Sequence, residues 1–245
     1  MSDVLAGAVA LEGGRMAAGV VRVDDTVQKP ATESSEFMAS LLKLFEQQSF
    51  DHAPRYLGQV DGKDLLGFIE GEVPARFQPW SDAQVRAAAV LLRQAHDATR
   101  GSELADRFNV VCHHDPGPNN FVFQDEVPAA IIDWSEAAPG SRLEDLGYLS
   151  WTWSISSKQR MPLERQAEQI RLIADAYGLS EAERHALVDC ILERQVRNVR
   201  FWSEFLAQPE TAPAAPDVLS DRIEWSRREH AFTYAHRDVF DTALV

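Results

Sequence analysis

The spacing of apolar positions changes character near residue 70. Before it, short β-branched runs predict strands. Val20–Val23 and Thr26–Lys29 flank Asp24-Asp25, which reads as a hairpin with both aspartates in its turn, and Pro30 ends the second strand. From Glu33 the period becomes helical: Phe37, Met38, Leu41, Leu42 and Phe45 form a double stripe with polar residues between them. Tyr56–Val60 and Leu65–Ile69 read as two further strands around the turn Asp61-Gly62. Gly71–Pro79, punctuated by Pro74 and Pro79, reads as a connector.

Beyond the connector, helical spacing dominates. Ser81 and Gln84 form a capping box ahead of the stripe Val85, Ala88, Leu92 and Ala95. A second helix is predicted over Leu163–Tyr177 and stopped by Gly178. A third starts at Ser180 with Glu183 three residues on, and carries Leu187, Ile191, Leu192, Val199, Trp202 and Leu206. Pro209, Pro213 and Pro216 punctuate a linker before a last helix from Asp217 with Ile223, Trp225 and Phe232. Trp202, Phe205 and His96 read as packed residues, Glu204 and Glu224 as a solvated face.

Residues 110–134 interrupt this helical part. Val110-Val111-Cys112 is one short apolar run, and Phe121–Phe123 and Ala129–Ile132 flank Asp125–Pro128, a hairpin with a loop of about four residues. The unusual polar residues collect at its open end: His113-His114-Asp115-Pro116-Gly117-Pro118-Asn119-Asn120 before it, Asp133 after it. Residues equidistant from a hairpin turn face each other, so Asn120 and Asp133 fall opposite, give or take one residue of register. An amide and a carboxylate oxygen there suit Mg²⁺, which takes one or two protein oxygens and the rest from phosphate and water. Asp115, across a stiff Pro-Gly-Pro loop, is placed to act as a base. Base, metal oxygens and rigid loop together suit phosphoryl transfer. The cation it needs for the phosphates is Lys29, held by Glu33 or Glu36 on the following helix, with Leu11-Glu12-Gly13-Gly14 offering backbone to the phosphates.

The charge narrows the partners. Lys plus Arg is 24 against 38 Asp plus Glu, a net −14 over 245 residues. That argues against nucleic acid and against an anionic membrane surface. Two cysteines, Cys112 and Cys190, have neither metal-ligand spacing nor a disulfide framework, and with no signal-peptide pattern the chain reads as cytoplasmic. No apolar run approaches the length that spans a bilayer. Oligomeric state is left open.

The motif H-x-D-x-x-x-x-N, spelled His113 to Asn120, with Ile132-Asp133-Trp134 after it, resembles the aminoglycoside phosphotransferase family of small-molecule kinases. The likeness extends through Ala137–Gly140, Asp145–Tyr148, Val27–Pro30, Phe68–Gly71 and Leu91–His96, from about residue 11 to about residue 150. The resemblance implies an α+β, bilobal protein-kinase-like fold. A small β-rich lobe with one helix, residues 1–70, would bind nucleotide. A larger, mostly helical lobe, residues 71–245, would carry the hairpin 110–134 and the substrate site. It also implies roles: Asp115 as catalytic base, His113 as brace of the loop, Asn120 and Asp133 on Mg²⁺, and Lys29 on the α and β phosphates of ATP. Gly67–Glu70, with Phe68 and Glu70, would form the adenine hinge, and Asp145 would tie loops together. The acceptor would be a hydroxyl of an aminoglycoside or another small alcohol. Where the family often has an acidic residue two places after the metal aspartate, this chain has Ser135. Two other readings are a hydrolase with His113, His114, Asp115 and Asp133 on a metal, and a nucleotide binder with little catalysis.

Overall fold

A computed structural model describes residues 9–10, 19–74, 78–158, 160–208, 210 and 212–245. It is an α+β chain, with strands concentrated before residue 70 and helices after residue 140. Grouped by compactness, the described residues form two units. The first takes those up to Pro74 with Leu91–His114 and Pro118–Ser141; the second takes those of 75–90, Asp115–Gly117 and Arg142–Val245.

The first unit is built on an antiparallel sheet of five strands: β1 (Val9–Ala10), β2 (Val21–Val23), β3 (Thr26–Pro30), β4 (Tyr56–Val60) and β5 (Lys63–Gly67), in the order β1-β2-β3-β5-β4. The β4–β5 turn is the two-residue Asp61-Gly62, both with left-handed φ of 50° and 72°. Such a turn lets pairing resume at once, so Val60 opposes Lys63 and the strand starts at Lys63 rather than at Leu65. Helix α1 (Ser35–Gln47) lays Met38, Leu41, Leu42 and Phe45 into the core. Pro30, at the end of β3, and the exposed Thr32 and Glu33 separate strand from helix.

Two small ribbons complete this unit. Strand β6 (Val110–Cys112) pairs with a strand the sequence reading did not foresee, Ala138–Gly140, because Ala-Pro-Gly carries no β pattern. The hairpin of β7 (Phe121–Gln124) and β8 (Val127–Ile131) turns at Asp125-Glu126 alone, with φ of 49° and 63°. The expected four-residue loop is therefore two residues long, and Pro128 lies inside a strand. A bulge between Val122 and Phe123 accommodates it.

The second unit is helical. The chain enters it through α2 (Asp82–Thr99), whose amino-terminal half belongs here and whose remainder belongs to the first unit. The Ser81–Gln84 capping box forms, with Ser81 N–H donating to Gln84 Oε1 at 2.9 Å. Helix α3 (Arg142–Ser154) is buried on all sides from Asp145 to Ser154 and packs mainly on α5 (Glu181–Ala207). Helices α4 (Leu163–Tyr177), α6 (Pro216–Ala235) and α7 (Arg237–Leu244) surround that pair. Gly178, at φ +81°, stops α4, and Ser180 with Glu183 caps α5 reciprocally. The indoles of Trp151 and Trp225 stack at 4.5 Å, and Trp202 is buried with Leu219 and Ile223. No described helix is long and apolar enough to cross a membrane.

Candidate active site

The hairpin positions the polar residues through its open end. Ile132 N–H donates to the Asn120 carbonyl at 2.9 Å, continuing the ladder one step past Phe121–Ile131. Asn120 therefore opposes Ile132, and Asp133 follows one residue later. The shorter turn alone would move the partner of Asn120 two residues, to Ile131, and the bulge restores one of them. Asn120 is buried, and its Oδ1 accepts from Asn119 Nδ2 at 3.1 Å. Trp134, fully buried, fixes this end of the ribbon: its ring lies 4.8 Å from Phe45 of α1 and 4.6 Å from His113, and its Nε1 donates to the Ile131 carbonyl at 3.0 Å.

His113 is wholly buried and donates from Nε2 to the Ile132 carbonyl at 2.8 Å, one residue before Asp133. His114 bonds the Glu136 carbonyl through Nδ1 at 3.1 Å. Both His114 and Asp133 hold left-handed backbones, with φ of 65° and 60°. Such conformations cost energy for residues other than glycine, and they gather where a site fixes side chains in place.

Lys29 reaches this corner from the penultimate position of β3. Its Nζ lies 3.4 Å from Asp133 Oδ1 and donates to Ser135 Oγ, which in turn donates to Asp133 Oδ1 at 2.7 Å. The lysine side chain is 15% exposed and the aspartate 47%, so this is a half-sheltered ion pair with an open side. Glu33 and Glu36, the expected partners of Lys29, are exposed and take no part. Helical phase explains this. Ser35, Met38, Ala39 and Leu42 turn inward, so Glu36 shares the outer face with Ser40 and Lys43. Ser35 instead donates to Asp64 of β5, a buried carboxylate the sequence reading passed over.

The segment 68–72 is tied to both sheet and hairpin. Phe68 N–H donates to the Asp25 carbonyl at 2.8 Å, and its ring lies under the Arg22 guanidinium at 3.5 Å. Glu70 has an exposed side chain paired with Arg22 at 3.4 Å, while its carbonyl accepts from Gln124 Nε2 at 2.8 Å. Glu72 and Phe123 then exchange two backbone hydrogen bonds. In the helical unit, Asp115 lies on the three-residue stretch Asp115–Gly117, where Gly117 N–H donates to the Asp115 carbonyl at 2.8 Å and Trp153 Nε1 to the Pro116 carbonyl at 3.1 Å. Asp145, also fully buried, starts the inner part of α3. Gly13 and Gly14 lie outside the described residues.

Comparison with known proteins fits this arrangement. The model of the phosphotransferase enzyme family matches residues 52–188, more than half the chain. The chain belongs to that family. It is a small-molecule phosphotransferase, and its α+β fold is the kinase-like one. This phosphotransferase is 29% identical over 258 aligned residues to the trifolitoxin immunity protein of Rhizobium leguminosarum bv. trifolii, covering 95% of its own length and 97% of the relative's. Among solved structures it is similar to a choline/ethanolamine kinase family protein from Mesorhizobium loti, with a TM-score of 0.61 at 16% identity over 92% of this chain and 88% of that one. It is also similar to APH(2")-IIa in a ternary complex with streptomycin and ATP, with a TM-score of 0.55 at 14% identity over 79% and 85% of the two chains. Family membership sets the hydrolase reading aside. Its ligand set is also not assembled, since His113, His114 and Asp133 are not within mutual metal-ligand distance among the described residues.

Proposed function

We propose that the protein transfers the γ-phosphate of ATP to a hydroxyl of a small molecule in the presence of Mg²⁺. The observation that carries this is the meeting of Lys29 with Asp133 and Ser135, residues more than a hundred positions apart, at the open end of a rigid hairpin. A charged ammonium already rests against Asp133 Oδ1, so that carboxylate is open to a cation. Asn120 and Asp133 supply the hard oxygen donors Mg²⁺ prefers. When bound there, the ion neutralises charge on the phosphates.

The remaining roles fall to the chain's own groups. Lys29 would turn from Asp133 to the α and β phosphates. His113, through the Ile132 carbonyl, holds the backbone leading into Asp133. Adenine would lie along Phe68–Glu70. The Phe68 amide and the Glu70 carbonyl are engaged elsewhere, so the base would be met by other backbone groups of this stretch. Gly13 and Gly14 would approach the phosphates. Asp115 would accept the acceptor's hydroxyl proton as its oxygen bonds to the γ-phosphorus and the bond to the bridging oxygen breaks, releasing ADP. In this reading residues 1–70 serve the nucleotide and residues 71–245 the acceptor, in the cytoplasm.

The test follows ADP release with aminoglycosides, amino alcohols, sugars and, because of the rhizobial relative's name, trifolitoxin as acceptors. One acceptor should stimulate release, and Asp115→Ala should lower that rate by about 10²–10⁴-fold while leaving an ATP-induced rise in melting temperature intact. Undiminished turnover in Asp115→Ala overturns the base assignment. A melting shift with ATP but no release from any acceptor favours the second reading, a nucleotide binder with little catalysis, which Ser135 in place of an acidic residue supports.

A further inference from the structure

Asp64 is a carboxylate with no solvent access at the inward register of β5. Its described partners are all neutral: Ser35 Oγ, Gln59 Nε2 at 3.1 Å and Tyr56 OH at 3.3 Å. An ionised carboxylate buried without a cation is costly, and three neutral donors offset only part of that cost. The register places a cation directly opposite. Lys29 and Asp64 are cross-strand partners in the β3–β5 pair, so their side chains leave the same face of the sheet. Directly opposed Cβ atoms sit about 4.5–5.5 Å apart, well within the reach of a lysine stem.

Lys29 is drawn instead to Asp133 and Ser135. The nucleotide reading requires that pairing to break, because a divalent cation taking Asp133 would repel the ammonium. The two glutamates of the 33–36 segment face solvent. We propose that Asp64 is the positioning residue for Lys29: when nucleotide binds, the ammonium settles between the phosphates and Asp64, in the role the sequence offered to Glu33 or Glu36. This rests on the nucleotide site proposed above. Asp64 would thus be held as a buried charge so that the lysine has a second anchor.

Calorimetric titration of Mg-ATP and melting curves test it. Asp64→Asn keeps the shape and removes the charge. It should weaken Mg-ATP binding about tenfold while leaving the nucleotide-free melting temperature equal or higher, because a buried unpaired charge has gone. Asp64→Glu should recover most of the affinity. Gln59→Lys, at an exposed position beside Asp64, gives that carboxylate a competing ammonium and should also weaken binding severalfold, an outcome that does not depend on Asp64→Asn folding. In a Lys29→Ala background Asp64→Asn should add no further loss. A fall in melting temperature with unchanged affinity in Asp64→Asn, or unchanged affinity in Gln59→Lys, overturns the inference and leaves the nucleotide site standing. Unchanged affinity in Lys29→Ala overturns both.

Discussion

At Gly71 an added Cβ would lie 2.4 Å from the Phe123 carbonyl oxygen and 2.6 Å from Val122 Cγ1, on a backbone with φ of +144°. This close approach lets Glu72 pair with Phe123 and so fastens the segment after β5 to the hairpin that carries Asp133. Gly71→Ala should cost about 2–4 kcal/mol from strain and overpacking combined. That corresponds to a melting temperature lower by roughly 5–15 °C for a chain of this size, read by differential scanning calorimetry; a change within about 1 °C would contradict the packing described. Residue-scale chemistry was partly legible in the sequence. The spacing of His113, Asn120 and Asp133 pointed to a candidate site because a short hairpin converts sequence distance into spatial proximity: Asn120 opposes Ile132, and His113 bonds the Ile132 carbonyl. The second anchor proposed for Lys29 was not legible. Whether a helix turns Ser35 or Glu36 inward depends on how α1 lies on the sheet, and Asp64 looks from sequence alone like an ordinary polar residue in a strand.

Elements with one wet face announced themselves, and those without did not. Helices α1, α2 and α4 carry apolar stripes, and their boundaries fell close to the predicted ones. Helix α3 is enclosed through its last ten residues, so Asp145–Ser154 shows no polar face and no 3.6-residue period to read. The strand Ala138–Gly140 exists by pairing with β6 rather than by propensity. Helix α6 shows how such enclosure shapes titration. Glu229, on α6, is buried, and it accepts from the Ser157 amide at 2.9 Å and from the Ser157 hydroxyl. Burial pushes its carboxyl above the ordinary glutamate range, and the two bonds from Ser157 offset part of that. A carboxyl whose folded pKa lies above its unfolded value contributes stability below the unfolded pKa. It loses that contribution as pH rises through the folded one. Ionised Glu229 therefore costs stability at neutral pH. Glu229→Gln should match or exceed the parent's melting temperature at pH 7, with the gap closing as pH falls from the raised folded pKa toward the usual carboxylate range. A variant less stable at pH 7 than the parent, and relatively better in acid, would contradict the burial assignment.

For the molecule as a whole, the question is how a chain of net charge −14 would take the polyanion that the proposed function requires. A field of that sign opposes a nucleotide, so in the proposed function affinity would come from local groups: Lys29, the ribbon's two oxygen donors and a divalent cation between them and the phosphates. Affinity for ATP should then depend on the metal more steeply than in a site ringed with arginines. The most direct measurement is calorimetric titration of ATP into the intact protein with and without Mg²⁺, for the parent, Asp133→Asn and Asp115→Asn. ATP should bind with Mg²⁺ and only feebly without it. Asp133→Asn should lose most of the Mg²⁺-dependent affinity, while Asp115→Asn retains it within a few-fold. ATP binding indifferent to Mg²⁺, or equal losses in the two variants, would contradict the assignment of metal carboxylate and base on which the proposed phosphoryl transfer depends.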